Sequence, residues 1–189
     1  MITKNNMSEV LRYTLGLGLI LTGVLGILET SFFTNRAYGV MGIVMLISAF
    51  DHIYMIFTKE NDYFDWKMVA LGTFGELTIA IMIFFLDFVN KNVMINLAVG
   101  IFLSIKGVIL IIGNKHISSE EKKVSIILRG VSFVKGLFLF LVGALIVILP
   151  IINGRTAMVF GWYILFLGIN FISYPLINYY RNLKKEETL

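Results

Sequence analysis

Apolar residues fall in six long runs, over about 11–28, 37–57, 68–86, 93–112, 124–149 and 157–178, with short polar turns between them. Inside a run the apolar positions are continuous, as in Ile101-Phe102-Leu103 or Leu137-Phe138-Leu139-Phe140-Leu141. A half-buried strand alternates with period two, so these runs predict helices. A helix rises ~1.5 Å per residue and needs ~20 apolar residues to cross a ~30 Å hydrocarbon layer, and each run is close to that length. Within such a layer the backbone must bond to itself, which permits helices or closed barrels. Barrel strands alternate, so the pattern predicts an all-α integral membrane protein with six transmembrane helices.

The runs also repeat in pairs. A shift of 58 positions carries Gly42 onto Gly100, and a shift of 119 carries Gly42 onto Gly161, Arg36 onto Arg155 and Asp51 onto Asn170. Three helical hairpins follow, over 11–57, 68–112 and 124–177, all entering the bilayer from the same side. Repeats of this kind are related by an axis along the membrane normal. Turns this short make the two helices of each hairpin antiparallel neighbours. The expected organisation is a cytoplasmic segment 1–10, one membrane domain 11–178 and a cytoplasmic tail 179–189. The run from Tyr13 follows Lys4 and Arg12 as a signal peptide would. Glu29-Thr30-Ser31-Phe32 supplies no small-residue cleavage site, and the run belongs to the repeat, so it is expected in the mature fold.

Composition agrees with this picture. Hydrophobic residues make up 58% of the 189 positions and charged ones only 15%, against about 25% charged in soluble domains. Basic residues sort by side. Lys4, Arg12, Lys59, Lys67, Lys115, Lys122, Lys123, Arg129, Arg181, Lys184 and Lys185 flank one side, whereas Arg36, Lys91 and Arg155 flank the other. Basic short loops stay cytoplasmic, which places both termini on the cytoplasmic side. The net charge of +4 is thereby explained without nucleic acid. Tyr63, Phe64, Trp66, Tyr174, Tyr179 and Tyr180 are expected at the inner interface, and Trp162 and Tyr163 at the outer one. The absence of cysteine excludes disulfides, thiol catalysis and thiolate metal sites.

Glycines recur at intervals of seven, two helical turns. Gly16 pairs with Gly23, Gly100 with Gly107, Gly136 with Gly143 and Gly161 with Gly168, and in the second run Gly42 pairs with Ala49. Small residues let membrane helices approach closely, so these positions are read as helix-packing faces. The third run departs, because Gly72, Gly75 and Ala80 do not keep the interval.

Four ionisable groups define a candidate intramembrane polar cluster: Asp51, Glu76, Lys106 and Lys135. Counted from the outer turns, their depths differ by only about 8 Å. A charge near a helix centre costs ~2.5–3.5 kcal/mol on insertion scales, so such groups turn inward and pair. Lys106 and Lys135 both lie within reach of Glu76, and sequence does not choose between them. Lysine stems can also snorkel to the interface. His52, near the end of the second run, is read as interfacial.

No catalytic constellation emerges. His52 and His116 lack metal-ligand spacing, the HExxH and GxSxG patterns are absent, and Gly16-Leu17-Gly18 with Gly23 sits in a spanning run without the flanking strand of a dinucleotide site. No catalytic residue, cofactor or metal is expected. The expected partners are the lipid bilayer and, through the glycine faces, a second copy or another membrane protein.

Six short helices in under 200 residues, with the hairpin Leu141-Val142-Gly143…Leu149-Pro150-Ile151-Ile152-Asn153-Gly154-Arg155…Gly161…Leu167-Gly168-Ile169, resemble the HdeD-like family of small bacterial inner-membrane proteins. The resemblance covers most of 11–177 and is strongest in the third hairpin. Glu29 and Asp87 stand about where Pro150 does in the other two. It implies a non-enzymatic membrane protein of acid or envelope stress, acting through structure or interaction, and carries over no catalytic residue. The alternative is a small transporter or proton-responsive conduit using the Glu/Lys cluster.

Overall fold

Long stretches of Leu, Ile, Val and Phe without an internal polar break coil into helices because each backbone group then finds its partner four residues away. The computed structural model describes residues 4–34, 36–58, 66–85, 91–113, 122–152 and 155–187. Its elements are α1 (Lys4–Ile27), α2 (Ser31–Thr34), α3 (Ala37–Thr58), α4 (Trp66–Phe85), α5 (Lys91–Gly113), α6 (Lys122–Ile152) and α7 (Thr156–Glu187). The described residues are all-helical, with no strand. α1 starts well before position 11 and α7 continues past 178. The α7 extension is rich in polar residues of good helix propensity, such as Lys184, Lys185, Glu186 and Glu187.

Among the described residues, five segments are long and apolar enough to cross a membrane: Glu9–Ile27, Ala37–Phe57, Val93–Ile112, Arg129–Ile148 and Thr156–Ser173. The apolar part of α4, Val69–Phe85, is shorter. Large apolar side chains remain exposed along these helices, among them Leu21, Phe50, Phe74, Ile101, Val134 and Leu141. Contiguous apolar surface on this scale is foreign to a monomer in water.

The chain divides into two compact units, Met1–Asn35 with Ala157–Leu189, and Arg36–Thr156. In the first, α1 and α7 run antiparallel with Gly16 against Gly168, Gly23 against Leu165 and Gly26 against Gly161. α1 closes in a left-handed turn at Glu29, φ 50°. There the amide of Glu29 donates to the Gly26 carbonyl and that of Thr30 to the Leu25 carbonyl. This closure is normally built on glycine. Phe33 of α2 then folds back onto Gly26. Glu29→Gly is therefore expected to raise stability by about 1 kcal/mol, read as a higher unfolding midpoint in detergent; an unchanged or lower midpoint would contradict the turn.

In the second unit, α5 and α6 are the most extensively packed pair and α3 and α4 the next, while α4 and α5 touch far less. The close pairs are thus joined by the polar loops around 59–65 and 114–121. The hairpin expected over 68–112 holds its two helices together only thinly. Bulk explains the difference. The glycines of α5 face α6, with Gly100 against Gly143 and Gly107 against Gly136, whereas Phe102 and Lys106 stand between α5 and α4.

Arg12, counted among the flanking charges, is buried in α1, and Tyr163, expected at the outer interface, is buried against its neighbours. Its neighbour Trp162 is exposed. The side chains of Tyr63, Phe64, Trp66, Tyr174, Tyr179, Tyr180, His116 and the remaining flanking lysines, together with Arg181, lie outside the described residues.

Candidate functional site: a buried carboxylate held by three helices

α4 buries one stripe, Thr73, Glu76, Ile79, Ala80 and Ile83, at the three- and four-residue spacing of a single helix face. A carboxylate therefore occupies a core position, and Glu76 is 0% exposed. An unpaired ionised carboxylate there would be prohibitively costly. Both of its oxygens are instead engaged. Oε1 accepts from Ser48 Oγ at 2.9 Å and from Lys106 Nζ at 2.5 Å. Oε2 faces His52 Nδ1 at 2.9 Å, and the ring donates when Nδ1 carries the proton.

Local helix geometry delivers each partner. Ser48 and His52 stand four residues apart on α3, so one face presents both to α4. Lys106 arrives from α5. Its stem runs past Gly72, where a β-carbon would meet only Cε and Nζ at 3.8 and 3.9 Å. Its ammonium lies 5.7 Å from the centre of the Phe102 ring, one turn earlier on the same helix, within cation–π range. The Lys106 and His52 side chains keep 22% and 23% exposure, so the site is sealed at the carboxylate and partly open at its two basic partners.

The structure thus pairs Glu76 with Lys106. Lys135 of α6 carries no ion pair with Glu76 and instead lies within electrostatic reach of Lys106. Asp51 is half-buried beside His52 and makes none of the contacts to Glu76. His52, read as interfacial, belongs to the site, and Ser48 joins it unannounced. Two signals for Ser48 were present: it shares a helix face with His52, and it stands 58 positions before Lys106, as Gly42 stands before Gly100.

Seven-residue spacing also continues in α4, through Thr73 and Ala80 rather than through its glycines; both are buried. Glu76 lies between them, as Leu19 lies between Gly16 and Gly23 and Leu139 between Gly136 and Gly143. Leu19 and Leu139 are buried too. The carboxylate therefore stands where the other seams place a buried apolar residue, leucine, methionine or isoleucine.

A second polar set lies elsewhere in the same unit, where Tyr38 hydrogen-bonds the side chains of Asn96 and Thr156. Asn96 is buried and its Oδ1 has no partner among the described residues. Among those residues no group of three or more His, Asp or Glu side chains is placed to hold a metal ion. Comparison with protein-family models, with curated proteins and with solved structures finds no match.

Proposed function

We propose that this chain is a non-enzymatic, multi-pass plasma-membrane protein whose buried Glu76 site is a structural clasp joining α3, α4 and α5. The carrying observation is the carboxylate itself: 0% exposed, with both oxygens taken by Ser48, His52 and Lys106. A buried carboxylate with three partners on two neighbouring helices can fix register and partner choice among largely apolar helices. The scaffold around it is three hairpin repeats with both termini cytoplasmic. The sequence offsets, the basic loops and the seven-residue small-residue seams support that reading. The seams lie between the last helix of one repeat and the first of the next, so the packing unit is the repeat shifted by one helix. α3 with α4 and α5 with α6 are such pairs in one unit, and α1 with α7 closes the same pattern in the other.

A role in acid or envelope stress, through structure or interaction, rests on the resemblance to HdeD-like proteins. Disruption of the gene is expected to reduce survival after acid challenge, and complementation with Glu76→Gln to restore it only partly. Unchanged survival of the disrupted strain at every growth phase would remove the acid role.

A proton-responsive conduit is the second reading, favoured by the His52–Glu76 contact and the partial exposure of His52 and Lys106. Under the clasp reading, liposomes holding wild type and Glu76→Gln show the same small pH-driven flux. A wild-type flux that Glu76→Gln abolishes would reverse the order of the two readings.

A further inference from the structure

We infer that Lys135, with Lys106 beside it, forms a binding notch for the phosphate of an anionic phospholipid in the inner leaflet. The inference rests on the membrane reading above. α5 and α6 cross with Gly107 and Gly136 in backbone contact: a β-carbon on Gly107 would fall 2.5 Å from the Gly136 carbonyl oxygen. Lys106 and Lys135 are the residues immediately before these two glycines, so the crossing sets two lysine-bearing positions on neighbouring helices side by side. Only Lys106 of the two reaches a carboxylate among the described residues, that of Glu76, whose oxygens also contact Ser48 and His52. Lys135 is left partly buried, with no carboxylate in ion-pair range among the described residues and with Lys106 as its repelling neighbour. A cation in that position calls for an anion.

Depth and surroundings say which anion. Lys106 stands six residues from the inner end of the segment Val93–Ile112, and Lys135 six from the inner end of Arg129–Ile148. Both α-carbons thus lie about 9 Å inside the apolar boundary. The Lys135 stem spans most of that distance and can carry its ammonium toward the headgroup phosphates, while the Lys106 ammonium stays on Glu76. Ile105 on α5 and Val131 and Val134 on α6 are exposed around the two lysines. An anion approaching here meets apolar walls, which suit a ligand with a phosphate at one end and acyl chains at the other. Basic notches between spanning helices on the cytoplasmic side are a recognised form of anionic-headgroup site. A free phosphate would use the charge but leave the walls uncovered.

Purified full-length protein titrated with phosphatidylglycerol or phosphatidylcholine, with bound lipid counted by native mass spectrometry, tests this. Wild type is expected to bind phosphatidylglycerol at least tenfold more tightly than phosphatidylcholine. Lys135→Gln is expected to lose that preference, and Lys135→Arg to keep it. Equal binding of the two lipids by wild type, or full phosphatidylglycerol preference in Lys135→Gln, overturns the proposal. So does displacement of phosphatidylglycerol by inorganic phosphate at equal concentration, which would assign the notch to a soluble anion. Thermal unfolding of Lys135→Gln in phosphatidylcholine nanodiscs reports the fold separately, and no loss is expected because an unpaired charge has been removed. Carbonate extraction separates the two levels of failure. A chain released from membranes sinks the membrane reading, whereas one retained with unchanged lipid preference sinks only the notch.

Discussion

Lys106→Met is expected to destabilise the protein by about 3 kcal/mol, and Glu76→Gln by only about 1 kcal/mol, although the two residues form one ion pair. The asymmetry follows from where each partner can go. Glu76 is 0% exposed and fixed by Ser48 and His52. Without Lys106 its charge stays in the core with two weaker donors. Lys106 keeps 22% exposure on a flexible stem. Without the carboxylate it can turn toward the interface. Glu76→Gln also keeps an acceptor for Ser48, and the imidazole of His52 can present an unprotonated nitrogen to the new amide. The double variant Lys106→Met with Glu76→Gln should recover to within about 1 kcal/mol of wild type, because no unpaired charge remains. Unfolding of the four proteins in mixed micelles measures the coupling. Additive losses, or a larger loss for Glu76→Gln than for Lys106→Met, would show that the pair is not the clasp the geometry describes.

Much of this arrangement is legible in the sequence, and the illegible parts have identifiable causes. Helices follow from continuous apolar runs because their signal is additive over some twenty residues. Glu76 announces itself because one acidic residue in an apolar run has few harmless explanations. Its partner is not legible, since Lys106 and Lys135 lie at nearly the same depth. The choice depends on which face of α5 turns to α4, which Gly72 and Phe102 settle in three dimensions. His52 misleads because a histidine near a helix end is usually interfacial. Only its four-residue relation to Ser48 shows that it shares the carboxylate's face. Short turns point to close pairs across them, because chain connectivity is tightest there. Packing follows the small residues instead, and those of α5 face α6. In α4 the seam was sought in glycines, whereas threonine and alanine at positions 73 and 80 carry it.

The second large effect is expected at the α5–α6 crossing, where Gly107→Ala should cost about 2–3 kcal/mol. The added methyl would lie 2.5 Å from the Gly136 carbonyl oxygen, 2.6 Å from the Phe140 amide nitrogen and 3.0 Å from the Phe140 α-carbon. All three are backbone atoms of a neighbouring helix, so no side-chain rotation relieves the overlap and the helices must part. Separation forfeits dispersion contacts along the whole seam, which in a bilayer is a principal force holding helices together. Gly130→Ala on α6 is the control. Nothing lies within 4 Å of its added carbon, and replacing glycine by alanine in an open helix position gains up to about 1 kcal/mol. The two variants add the same methyl group and should move the unfolding midpoint in opposite directions. Gly107→Ala should also weaken phosphatidylglycerol binding without touching a charge, because parting the helices moves Lys135 away from Lys106. A Gly107→Ala protein as stable as wild type would mean that the backbones do not touch, and the two-lysine notch would lose its geometric basis with them.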